Sequence, residues 1–124
     1  MGRQDTGRPV LIVEDEHPIA LVVAEVVADA GHLAYIAHHG LDALELAREH
    51  WPALVITDLM LPHLDGEGLI AALRAEAGPD RRMPPIVLMT AAGTSAAQAA
   101  GADTVLHKPF ELAELDALLR RFLG

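Results

Sequence analysis

Apolar residues in this chain gather into five short runs, over 10–13, 33–37, 54–57, 86–89 and 104–107. None alternates apolar with polar positions, so each predicts a strand covered on both faces. The segments between them carry helix signals. Pro18 suits a first helical turn and Gly31 a left-handed stop, which predicts a helix over 18–30 despite the β-branched Val22, Val23, Val26 and Val27. Residues 40–49 predict an amphipathic helix ended by Trp51-Pro52, since a residue before proline avoids the helical region. Asp65, as an N-cap, opens a third helix through about Glu76, stopped at Gly78. Residues 94–100 leave room only for a short fourth helix before Gly101. In the last helix Leu112, Leu115, Leu118, Leu119 and Phe122 share one face. Its acids come early (Glu111, Glu114, Asp116) and Arg120-Arg121 late, which matches the helix dipole.

Strand followed by helix five times predicts an α/β fold, a doubly wound parallel sheet in one domain over 10–124 after a polar tail of residues 1–9. In open sheets of this kind ligands sit outside the carboxyl ends of the strands. Those ends are where the chemistry lies. The first run delivers Glu14-Asp15, the third Asp58 ahead of Pro62 and Gly66, the fourth Thr90, and the fifth Lys108-Pro109. Parallel neighbours would bring three carboxylates, one ammonium and one hydroxyl to a single edge.

Composition narrows the possibilities. Without cysteine, neither a disulfide nor a thiolate site exists. A net charge of -9, from 9 basic and 18 acidic residues, argues against nucleic acid as a partner. Arg81-Arg82 and Arg120-Arg121 read as solvated surface or helix-end charges. Residues 19–28 form the longest apolar run, broken by Glu25 and far short of the roughly 20 residues a bilayer requires, so no membrane span is expected. The polar first eight residues lack a signal-peptide core, which predicts a cytoplasmic protein. Eight of the nine basic residues are Arg, and the single Lys is Lys108. A lone lysine at a strand end suggests a role that arginine's wide fork would not fill.

Three crowded carboxylates repel one another unless a cation compensates, and oxygen-only donors favour a hard ion, Mg²⁺ above all. With it, Asp58 becomes a candidate nucleophile toward a phosphoryl group, because phosphoryl transfer asks mainly for alignment and charge neutralisation. Lys108 would add positive charge on the phosphoryl oxygens and Thr90 a hydroxyl donor. Taken singly, a strand-end Asp is often a loop cap and Thr90 a turn hydroxyl. Their conjunction carries the reading.

Val13-Glu14-Asp15-Glu16, Asp58-Leu59-Met60-Leu61-Pro62 with Asp65-Gly66, Met89-Thr90-Ala91 and Lys108-Pro109-Phe110, in this order, resemble the receiver domain of two-component response regulators. The likeness runs from Val10 to Leu123 and includes Gly40-Leu41-Asp42-Ala43-Leu44 at the second helix. It implies a flavodoxin-like strand order of 2-1-3-4-5. It also implies Asp58 as phosphoacceptor, with Mg²⁺ held by Glu14, Asp15, Asp58 and the Met60 backbone carbonyl, Thr90 as switch hydroxyl and Lys108 as phosphate-sensing lysine. The implied donor is a phosphohistidine on a sensor histidine kinase or phosphotransfer protein. The domain would then be no enzyme beyond its own phosphorylation and dephosphorylation, and would signal to an output protein the sequence does not name. No effector segment follows the last helix in this sequence, which points to a single-domain receiver, with a piece of a longer regulator or hybrid kinase as the alternative.

Other readings compete. A receiver-like docking domain independent of phosphorylation is the main one, although Glu14, where Asp is commoner in the family, still offers a carboxylate. A metal-dependent phosphohydrolase would need a second acid two residues beyond the nucleophile, where Met60 stands. A flavodoxin-type mononucleotide binder would need a Gly-rich phosphate loop, where Glu14-Asp15-Glu16 would repel the ligand. Of the seven histidines, His38 and His39 are adjacent and none of His17, His32, His50, His63 or His107 forms an i, i+4 pair with an acid on a helix, so most read as exposed or helix-end residues.

The chain departs from the resemblance after Thr90. Only 18 positions separate Thr90 from Lys108, shorter than in the family's commonest members by roughly one helical turn. Val105 stands where those members carry a switch aromatic. The expectation is that output runs through the segment 91–101 rather than a ring in strand five, and that the domain is a monomer or weak dimer.

Overall fold

In a computed structural model the described residues are 7–61, 64–91 and 101–124. Five strands, β1 (Pro9–Val13), β2 (Leu33–Ala37), β3 (Leu54–Asp58), β4 (Ile86–Thr90) and β5 (Thr104–His107), form one parallel sheet in the order β2-β1-β3-β4-β5. The described helices are α1 (His17–Asp29), α2 (Gly40–Glu49), α3 (Gly66–Ala77) and α4 (Leu112–Leu123). The expected short helix over 94–100, the loop residues Pro62 and His63, and most of the polar tail lie outside the described residues. Among the described residues no helix is long and apolar enough to cross a membrane.

The unbroken apolar runs are explained by two cores. Successive strand residues point to opposite faces. Leu11, Val13, Val55 and Leu88 meet Ala43 and Ala47 of α2 with Leu69, Ile70 and Leu73 of α3. Val10, Ile12, Leu54, Ile56, Val87 and Met89 meet Val23 and Val27 of α1 with Leu115 and Leu119 of α4. Complete cover holds for Val10 to Val13 of β1 and for all of β3 and β4. It fails at the flanks: β2 and β5 are edge strands, and Leu33 is half exposed.

Local signals set the boundaries. After α1, Gly31 takes φ +91, its N–H donates to the Ala28 carbonyl, and the His32 N–H donates to Val27, the paired bonds of a Schellman stop. Asp65 Oδ1 accepts from the Gly68 N–H at 2.8 Å and caps α3. Glu111 and Glu114 form a capping box at α4. The buried stripe of α4 is Leu115, Leu119 and Leu123. Leu112 was expected on that stripe, but as the first helical residue it lies above the packed turns and is largely exposed.

Candidate functional site

Strand register assembles the site. Val13 pairs with Thr57 and Asp58 with Met89, so Glu14, one residue beyond Val13, comes level with Asp58. Thr90 pairs with His107, and the Lys108 N–H donates to the Thr90 carbonyl at 2.9 Å. Lys108 therefore leaves β5 beside Thr90 and turns back toward β3 and β1. Its Nζ lies 2.6 Å from Glu14 Oε1, 2.8 Å from Asp58 Oδ2 and 4.0 Å from Glu16 Oε2.

The residues after each strand hold the acids. The Glu16 N–H donates to Glu14 Oε2 at 3.2 Å, and the Met60 N–H donates to Asp58 Oδ1 at 3.2 Å. Both oxygens of Asp58 are thus engaged, one by a cation and one by an amide. The loop beyond Asp58 closes through the Gly66 N–H on the Leu59 carbonyl at 3.0 Å. Gly66 has no room for a side chain: an added Cβ would lie 2.7 Å from the Asp58 carbonyl oxygen.

Glu14, Asp58 and Thr90 are buried, whereas Asp15 and the Met60 side chain are exposed. Carboxylate oxygens of Glu14, Asp15 and Asp58 all lie within 4.8 Å of one another. Burial pushes the Glu14 carboxyl up to about 7 against the opposing pull of its hydrogen bond from Lys108. Burial also opposes the charge on Lys108, but hydrogen bonds to Asp58 and Glu14 outweigh it and hold the amine above the usual lysine range. The charge on Glu14 is accordingly conditional on pH near neutrality. The arrangement is an acid-rich pocket short of positive charge, with oxygen donors only. Those properties suit a hard divalent cation.

The structure thus brings together Glu14, Asp15, Asp58 and Lys108, ties Thr90 to Lys108 through the backbone, and tethers Met60 to Asp58 through its amide. Val105 packs half-buried against the core that contains Leu88. Sequence reasoning missed His38 and His17. The His38 Nδ1 lies 2.9 Å from the Glu14 carbonyl oxygen, and its ring stacks on His17 at 3.9 Å. The available signal was that β2 ends beside β1, which sets His38 next to Glu14.

The model of the response regulator receiver domain matches residues 10–120. The chain belongs to this family. Among its relatives, the transcriptional regulatory protein CusR of Escherichia coli is 36% identical over 117 residues, covering 91% of this chain and 50% of that protein. The chain spans about half the length of the curated relatives it matches. Among solved structures, the chemotaxis response regulator CheY4 of Vibrio cholerae superposes with a TM-score of 0.81 at 27% identity, over 94% of this chain and 98% of that one. The receiver domain of a signal transduction histidine kinase from Syntrophus aciditrophicus gives 0.84 at 26% identity, over 94% and 90%. The flavodoxin-like strand order expected from the sequence is the order observed. As a receiver domain of response regulators, proteins that pair with histidine kinases, it is not an enzyme of the ordinary kind.

Proposed function

We propose that this receiver accepts a phosphoryl group on Asp58 from a phosphohistidine of a sensor histidine kinase or phosphotransfer protein, in a Mg²⁺-dependent reaction. The observation that supports it most is the Lys108 ammonium, 2.8 Å from Asp58 Oδ2, in a pocket where three carboxylates lie within 4.8 Å. Asp58 attacks phosphorus as the N–P bond breaks, and the departing imidazole keeps that electron pair. Lys108 would move from the carboxylate to the phosphoryl oxygens, and Thr90 would donate its hydroxyl to them.

Glu14, Asp15, Asp58 and the Met60 carbonyl are the residues that would hold Mg²⁺. Bound there, the ion supplies charge neutralisation for an anionic nucleophile approaching an anionic donor. The phosphorylated domain would then signal to an output protein. Incubation with acetyl phosphate and Mg²⁺, followed by intact-mass measurement, tests the proposal. One phosphoryl adduct is expected on the wild type and none on Asp58→Asn or with excess chelator. Equal labelling of Asp58→Asn would refute it.

A further inference from the structure

A cleft of about 810 Å³ opens at the other edge of the sheet, where the strands begin. Arg8, Arg74, Arg82 and Arg121 all line it, half of the chain's eight arginines in a protein of net charge -9. They arrive from the start of β1, the last turn of α3, the loop before β4 and the last turn of α4. The arginines that pair with acids are others, Arg48 with Glu76 and Arg120 with Asp116. Arg8 Nη1 donates to the Leu123 carbonyl at 3.4 Å and Arg121 lies over Phe122. Among the described residues, none of the four has a carboxylate within ion-pairing distance.

Part of this charge answers the helix ends. Arg74 and Arg121 lie in last turns, where each helix presents about half a negative charge. Asp103, the one acid in the lining, has a carboxylate oxygen accepting from the Ile86 N–H at 2.7 Å. Four guanidiniums against one carboxylate and two half charges leave a surplus of about two positive charges. The field reaches a neighbour: burial, and then the charge of Arg8, lower the His32 pKa.

The floor is of another character. Trp51, Pro52, Pro84 and Pro85 line it, with Pro52 and Pro84 buried. The Trp51 indole N–H donates to the Arg82 carbonyl at 3.0 Å, and Arg81 stacks 4.8 Å from the ring centre, which fixes the indole plane. A rim of guanidiniums over a rigid apolar floor, in a volume typical of small-ligand sites, suits a molecule with several phosphate oxygens at one end and a flat ring at the other. A long polyanion is disfavoured by the negative charge of the remaining surface.

We propose that this cleft binds a nucleoside polyphosphate, its phosphates held by Arg8, Arg74, Arg82 and Arg121 and its nucleoside seated against the proline floor beside Trp51. It stands apart from the Asp58 pocket and does not depend on the reading of that pocket.

Trp51 is the chain's only tryptophan and reports on the site directly. The full chain is titrated in EDTA with ATP, inorganic pyrophosphate, adenosine or a short single-stranded oligothymidylate, followed by Trp51 fluorescence and calorimetry. Saturable ATP binding is expected, unchanged in Asp58→Asn. It should weaken at least tenfold in the double variant Arg82→Gln, Arg121→Gln, whose exposed side chains leave the circular dichroism spectrum as in wild type. Absence of saturation at millimolar ATP, or undiminished affinity in the double variant, would overturn the proposal. Pyrophosphate or adenosine binding as tightly as ATP would overturn the two-part ligand, and tighter binding of the oligonucleotide would replace a small ligand with a polymer.

Discussion

Replacing Lys108 by methionine keeps the length of the stem and removes the one cation between Glu14 and Asp58. Taking one partner from a buried ion pair costs about 3–5 kcal/mol when the remaining charge cannot escape. Here it can, because burial already places the Glu14 carboxyl at about 7. At pH 6 Glu14 is mostly protonated with or without the lysine, so most of the loss is confined to Asp58. At pH 8.5 wild-type Glu14 is ionised beside Lys108, whereas in the variant it must stay protonated or add a second uncompensated charge. The sign follows from linkage: the folded variant holds a proton that the unfolded chain has released, so its stability falls by about 1.4 kcal/mol per pH unit. Wild type, with Glu14 near 7, loses stability between about pH 4.5 and 7 and is level above. The lysine stays charged across this range, since its own pKa is raised.

Between pH 7 and 8.5 the variant therefore loses roughly 2 kcal/mol more than wild type. For a chain of this size that widens the Tm gap by roughly 8 °C relative to pH 6. Thermal unfolding by circular dichroism in EDTA, at both pH values, measures it. An equal gap at pH 6 and 8.5 would show that the charge on Glu14 is not conditional on Lys108.

The same variant should bind Mg²⁺ about fivefold or more tightly, since a unit charge about 4 Å away is worth at least 1 kcal/mol; calorimetry showing unchanged or weaker binding would contradict this. In wild type, metal competes with the proton on Glu14, so Mg²⁺ affinity should rise with pH up to about 7 and then level off, and a flat profile from pH 5.5 to 8.5 would count against Glu14 as a ligand. Gly66→Ala should lose about 1–3 kcal/mol, as its Cβ drives into the backbone at Asp58 and Leu59; denaturant melts and the yield of phosphoryl adduct should fall together. Met60 is largely exposed beside Asp58 and cannot orient water. Met60→Asn should therefore speed decay of the phosphorylated form several-fold, and an unchanged or slower decay by intact mass would remove Met60 from consideration.

The acid edge was legible because each strand run ends abruptly in charge, and parallel order does the rest. α1 was legible despite four valines because Pro18 and Gly31 mark its ends more strongly than β-branching opposes its middle. Edge effects were not: nothing local to Leu33 shows that β2 has one neighbour, and Leu112 fits a helical stripe whose packing starts at Leu115. The His17–His38 stack needs β1 and β2 side by side, a relation between distant segments. The arginine cleft was hidden in the same way, and by adjacency as well. Arg81-Arg82 and Arg120-Arg121 read as surface pairs, whereas the fold divides each pair, sending Arg81 to Trp51 and Arg120 to Asp116 while Arg82 and Arg121 enter the cleft.

Between these two edges lie β1, β3 and β4, whose interior residues are almost wholly apolar and shut off from water. Five residues of strand put roughly 16 Å between the ends, beyond the distance over which substitutions ordinarily couple. Changes of charge at Glu14 or Lys108 should then add, within a few tenths of a kcal/mol, to changes at Arg82 or Arg121. An ancestral sequence could have rewritten either edge for a new partner without compensating at the other, with the valines and isoleucines between them acting as insulation.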